Sequence, residues 1–204
     1  MICSYHYYLL EKIRSKVEPI TNKIGHELSK LGMTPIMLSI FAIIFSLISA
    51  FFYSNLMQFD FNNVISNQFL GAIFLLVAGL CDMLDGAIAR VTKKSSLKGA
   101  FVDSTFDRVT EIIIFSGLLI GQYAEPILIF FAITLSMLVS YARTKAEAIN
   151  VDLRGIGIAE RSERILILCL CSFISEIRLA IIIITILSFI TFMERFIAVM
   201  RKSE

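Results

Sequence analysis

Between residues 5 and 30, apolar side chains (Tyr5, Tyr8, Leu9, Ile13, Val17, Ile20, Ile24 and Leu28) recur at three- and four-residue steps among lysines and glutamates. That spacing predicts an amphipathic helix lying along a membrane surface. Gly32, Thr34 and Pro35 then punctuate the chain, with Thr34 as helix N-cap and Pro35 at the first helical position. Residues 31–59 carry no charge and exceed the roughly 20 residues that one bilayer crossing requires. After a polar break at residues 60–67, a second apolar run climbs to Cys81 and meets a cluster of charges. A third segment, residues 99–123, is apolar except for Asp103, Asp107, Arg108 and Glu111. Glu125-Pro126 marks a turn, and a fourth run reaches Ala142. The fifth starts near Ile156, is interrupted at residues 160–164 and continues to Ser175; the sixth covers about residues 179–198. The pattern predicts an all-α integral membrane protein, with an interfacial helix in residues 1–34 and six transmembrane helices in residues 35–204.

Composition supports a membrane protein. Hydrophobic residues are 57% of the 204, charged residues 18%, and mean hydropathy is +0.79. A soluble domain of this size cannot bury so much apolar surface. The formal net charge of +2 provides no footprint for nucleic acid, and so apolar a chain is not disordered. Of 19 cationic side chains, all but Arg108 and Arg178 fall on one side of a six-span topology. The positive-inside rule then puts both termini in the cytoplasm of a multi-pass cell-membrane protein. The first thirty residues lack an early apolar run, so no signal peptide is expected. Cys3, Cys81, Cys169 and Cys171 form no C-x-x-C pair, and the only histidines are His6 and His26. The cysteines read as small hydrophobes, without a zinc site or disulfide framework.

Charges inside membrane spans are costly and usually mark function, and four carboxylates converge here. Asp82 and Asp85 are three positions apart, Asp103 and Asp107 four, so each pair shares a helix face. A short basic loop joins the two segments, which are expected to be antiparallel neighbours with the pairs facing each other near the cytoplasmic end. Acids so close need cations to stay ionised, and hard oxygen ligands select Mg²⁺ or Mn²⁺. Gly86 and Ala89, followed by Arg90, and Gly99 before the second pair leave backbone bare for a ligand or a neighbouring helix. A packing seam with salt bridges to Arg90 and Arg108 is the plainer explanation, but a seam has no need of four acids.

The pattern Asp82-x-x-Asp85-Gly86-x-x-Ala89-Arg90, eight residues, Gly99-x-x-x-Asp103-x-x-x-Asp107 resembles the signature of the CDP-alcohol phosphotransferases at every fixed position. The resemblance implies six transmembrane helices, a homodimer and a site for two metal ions, Mg²⁺ or Mn²⁺. It implies transfer of a phosphate-bearing group from a CDP-linked donor to an alcohol. Asp82, Asp85, Asp103 and Asp107 would hold the metals and Asp107 would also be the catalytic base. Gly86, Arg90 and Ser96, with Ala89 and Gly99, would line the CDP-lipid site. Family members often place a polar residue and then Thr after the proline that opens the first span. Here the sequence is Pro35-Ile36-Met37-Leu38-Ser39, so Ser39 alone could keep a hydroxyl contact with the nucleotide.

Downstream, Ser140 to Ala148 and Gly157 to Arg164, with Arg195 in the last span, resemble the prokaryotic phosphatidylinositol phosphate synthases and their archaeal counterparts. The acceptor's phosphate would meet Arg143, Arg164 and Arg195, with Lys145 and Arg161 as weaker candidates. Guanidinium forks suit phosphate. Arg143 departs from the lysine usual at its position. The expected reaction joins a CDP-lipid, CDP-archaeol or CDP-diacylglycerol, to 1D-myo-inositol 3-phosphate and releases CMP. A composition rich in Ile, Phe, Lys and Ser favours the archaeal ether lipid. Phosphatidylglycerol phosphate synthase and di-myo-inositol phosphate phosphate synthase share the Asp pattern and remain alternatives. A membrane transporter would need acids at mid-membrane and a route across.

Overall fold

The computed structural model describes residues 18–57, 66–92, 96–153 and 155–202. The first half of the interfacial stripe, Cys3, His6, Lys93, Lys94 and Arg154 lie outside the described residues. All regular structure among the described residues is helical: α1 (18–30), α2 (Pro35–Tyr53), α3 (Asn67–Val91), α4 (Leu97–Ile120), α5 (Pro126–Ala148), α6 (Arg161–Phe173) and α7 (Ile177–Lys202). Four of them, α2, α3, α5 and α7, are long and apolar enough to cross a membrane. Of the six expected spans, the remaining two, α4 and α6, differ for separate reasons. At about 1.5 Å per residue α4 is long enough to span, but it carries the acids. The 13 residues of α6 cover only about 20 Å against a hydrocarbon core of about 30 Å.

The chain forms two compact units, residues 18–121 and 122–202 among those described. In the first, α2 is central and packs along both α3 and α4. Its buried row, Leu38, Ser39, Ala42, Ser46, Ser49 and Tyr53, runs at three- and four-residue steps, whereas Ile36, Ile40, Ile44, Leu47 and Phe51 face outward. Small polar residues let membrane helices approach closely: Ser49 donates to the Gly71 carbonyl at 2.7 Å. Phe74 of α3 stacks on Phe52, with centroids 5.5 Å apart. The expected start of α2 is present, since Thr34 caps it by accepting from the Met37 N–H and Pro35 is its first residue. The α1 helix ends one turn earlier at Gly32, whose φ of +82° suits a residue without a Cβ.

Within this unit α1 lies against the end of α3 that bears the acids. A Cβ on Gly25 would stand 3.2 Å from the backbone and Cβ of Ala87, so the two helices touch through bare backbone. Ile20 and Ile24 are exposed on the outer side of α1.

In the second unit α7 is the hub, with α5 and α6 both packed on it. Its buried row is Ile177, Ala180, Ile181, Ile184, Ser188, Thr191 and Arg195; α5 buries Ile129, Ala132, Ser136 and Val139. Arg178, one of the two cations off the basic side, pairs with Glu125 at 2.6 Å. Residues 160–164 differ from expectation. They do not interrupt a helix but start one, since residues 155–160 are irregular and Glu160 is the N-cap position of α6. Cys81, Cys169 and Cys171 are free thiols, the last two buried.

Candidate active site

Asp82 and Asp85 come from the last turns of α3, Asp103 from the second turn of α4. One carboxylate oxygen from each lies within 4.8 Å of the others. The helices that carry them share a neighbour. Both lie along α2, and α3 and α4 make no comparable backbone approach to each other among the described residues. The acids of the two segments face each other, as expected. Asp85 is buried, Asp82 half-buried and Asp103 exposed, so the trio opens on one side.

Three acids at this spacing repel one another unless a cation lies among them. Their donor set is all hard oxygen. An ion with bonds of about 2.1 Å holds neighbouring oxygens about 3–4 Å apart, so small side-chain rotations would close the trio on a divalent ion. Asp107 stands outside the trio, one turn further along α4. It is half-buried, with Oδ2 3.7 Å from Nη1 of Arg108, which also donates to the Ser104 carbonyl.

The Ser39 hydroxyl lies 3.2 Å from the Pro35 carbonyl of its own helix and closer still to a carboxylate, a contact that the sequence did not predict. Its hydroxyl donates to Oδ2 of Asp85 at 2.6 Å, and both residues are buried. It holds a carboxylate in place, the role that the outer shell of metal sites commonly fills. The remaining donor-side residues cluster nearby in sequence. Arg90 lies over Gly86, where a Cβ would stand 3.4 Å from its Nη1, and its Nε is 3.8 Å from Glu18 of α1. Ser96 caps α4 by accepting the Gly99 N–H at 3.0 Å, leaving its own proton for another acceptor. Ala89 is half-buried.

The three arginines expected to meet the acceptor are all in the second unit, where Arg143 and Arg195 converge on Glu160. Nη1 of Arg143 and Nη2 of Arg195 donate to the same carboxylate oxygen, at 3.2 and 3.1 Å. Arg195 is only 2% exposed, and it also donates to the carbonyls of Ile156 (3.0 Å) and Val139 (2.9 Å). Arg164, equally buried, donates to the Ala159 carbonyl at 2.6 Å. Arg143 is half-exposed and also meets Glu147. Lys145 is exposed and Arg161 half-buried. The sequence pointed to the arginines but not to Glu160, although an acid inside a basic cluster was a visible signal. Glu18 and Thr191 gave none.

Two helix-borne sets of opposite charge, one of carboxylates and one of guanidiniums, match one family of enzymes. Residues 32–201 match the CDP-alcohol phosphatidyltransferases. The chain belongs to that family. It is 36% identical to the archaetidylinositol phosphate synthase of Pyrococcus horikoshii, over 96% of this chain and 99% of that one. It is 30% identical to the phosphatidylinositol phosphate synthase of Mycobacteroides abscessus, over 76% of this chain and 68% of that one. The phosphatidylinositol phosphate synthase of Mycobacterium tuberculosis with CDP-DAG bound superposes with a TM-score of 0.74 at 27% identity, covering 89% of this chain and 94% of that one. The same enzyme with manganese and citrate gives a TM-score of 0.73 at 26% identity, covering 88% of each. The chain is therefore a membrane phosphotransferase of phospholipid synthesis, and its acidic cluster fits a divalent metal.

Proposed function

We propose that the protein transfers the lipid phosphate of a CDP-lipid to a phosphorylated inositol, giving the lipid inositol phosphate and CMP. The observation that carries the acceptor is the convergence of Arg143, Arg164 and Arg195 on residues 156–160. An alcohol without its own phosphate would have no use for three guanidiniums. The Pyrococcus relative, similar over almost its whole length, supports CDP-archaeol as donor, in agreement with the composition.

In this reading Asp82, Asp85, Asp103 and Asp107 hold two Mg²⁺ or Mn²⁺ ions, which when bound neutralise charge on the diphosphate and on the departing CMP. Arg90 and Ser96 bind the diphosphate, and Gly86, Ala89 and Gly99 keep that surface clear. Arg143, Arg164 and Arg195 fix the acceptor through its phosphate. The acceptor hydroxyl attacks the lipid-bearing phosphorus, the bond to the CMP oxygen breaks, and the hydroxyl proton passes to Asp107. The reading includes six spans, with α4 and the short α6 completing the four apolar ones, a homodimer, and both termini and the site on the cytoplasmic face.

The test is CMP release from CDP-lipid by purified protein with Mg²⁺, offering inositol phosphate, glycerol 3-phosphate, serine and inositol in turn. Release with inositol phosphate alone is the expected result. A preference for glycerol 3-phosphate would replace this reading with phosphatidylglycerol phosphate synthesis, and release with unphosphorylated inositol would remove the arginines' role.

A further inference from the structure

Residues 151–153 and 155–160 have no regular secondary structure, yet Leu153 and Ala159 among them are buried. Backbone polar groups in such a segment must find partners, because buried ones are almost never left unmet. Two side chains one turn apart on the same face of α7 supply several of them. Thr191, fully buried, accepts the backbone N–H groups of both Ile158 and Ala159 on its hydroxyl oxygen, each at 3.1 Å. Arg195 takes the Ile156 carbonyl and the Glu160 carboxylate. From α6, Arg164 takes the Ala159 carbonyl. Gly157 sits inside this brace at a φ of +101°, and a Cβ there would fall 2.3 Å from the methyl carbon of Thr191. The Thr191 methyl thus fills the space that a side chain at 157 would need, while its oxygen holds the next two amides.

We propose that Thr191 is a positioning residue for the acceptor site: it fixes the backbone at residues 157–159 and so aims Glu160 and Arg164 without touching the acceptor itself. The inference rests on the reading of Arg143, Arg164 and Arg195 as the acceptor's phosphate pocket. Consecutive amides converging on one oxygen set the peptide planes on both sides of Ile158, and Glu160 follows directly. Valine has nearly the shape of threonine and no acceptor, so it would leave two amides unmet and free the segment to turn.

The test compares Thr191→Val and Thr191→Ser in the full-length protein, measuring KM for inositol phosphate and for CDP-lipid and Mn²⁺ binding by electron paramagnetic resonance. Thr191→Val should raise the inositol phosphate KM about tenfold or more, equivalent to roughly 1.4 kcal/mol. The KM for CDP-lipid and the Mn²⁺ affinity should stay within about twofold. Thr191→Ser keeps the oxygen and should restore most of the loss; Thr191→Ala, which removes the hydroxyl without adding bulk, should repeat the valine result. A purely structural role would shift both substrates together, and that outcome overturns the proposal, as does an unchanged acceptor KM. Arg143→Gln separates the two levels. If it raises the acceptor KM and Thr191→Val does not, only the role of Thr191 fails; if neither does, the phosphate pocket itself is wrong.

Discussion

Removing the Ser39 hydroxyl is the sharpest probe of the acidic site, because the sequence and the structure assign it different work. Read from sequence, Ser39 is a nucleotide contact; in the structure it donates to Asp85 at 2.6 Å from a buried position. A hydrogen bond to a charged acceptor contributes about 1.5–3 kcal/mol, which is roughly 10- to 150-fold in an equilibrium constant. Loss of an outer-shell contact at metal sites typically costs about 10–100-fold in affinity, so the two estimates agree. Burial of both groups keeps water from replacing the hydroxyl easily, which favours the upper half of the range. Ser39→Ala should therefore weaken Mn²⁺ binding at least tenfold and raise the Mg²⁺ concentration for half-maximal activity in parallel. At saturating metal the KM for CDP-lipid should return to near its original value. Ser39→Thr, which keeps the hydroxyl, should remain close to wild type. Unchanged metal affinity with a raised KM for CDP-lipid would refute the reasoning and return Ser39 to the nucleotide.

Asp107→Asn should abolish turnover while the purified protein keeps its thermal transition, since the amide preserves shape but cannot take a proton; substantial residual activity would remove Asp107 as base. Arg143→Gln and Arg195→Gln should both raise the acceptor KM but differ in stability. The first loses only half-exposed ion pairs, worth little, and should leave the thermal midpoint nearly unmoved. The second deprives two carbonyls and a carboxylate of a buried charged donor, costing about 3 kcal/mol or more, visible in a thermal melt. Gly25→Leu should push α1 off α3, where even a Cβ would sit 3.2 Å from Ala87, at a cost of about 1–3 kcal/mol; easier proteolysis of α1 reports it, and an unchanged digestion pattern would count against the contact.

Much of this could be read from the chain because the relevant rules are local. The start of α2 at Thr34-Pro35 follows from capping chemistry, and the shared face of Asp82 and Asp85, three positions apart, follows from helical period. Apolar runs marked the four helices that are both long and apolar. What was not legible depends on tertiary contact. Residues 160–164 looked like charges breaking a span because hydropathy cannot distinguish an interrupted helix from a helix start. That α3 and α4 both lean on α2 is invisible to a pattern that knows only chain neighbours. Ser39, Glu160 and Thr191 take their roles from groups 46, 35 and 33 positions away, and no periodicity encodes such pairs.

The acids and their supporting serine all fall before residue 122, and the arginines with the segment they grip all fall after it. In the proposed function, donor activation and choice of alcohol are thus written in separate stretches of the gene. A lineage could change the headgroup it attaches by altering the later stretch alone, under selection that leaves the nucleotide chemistry untouched. The same division gives a practical recipe: exchanging the sequence after residue 121 between relatives of different headgroup preference should carry the preference with it.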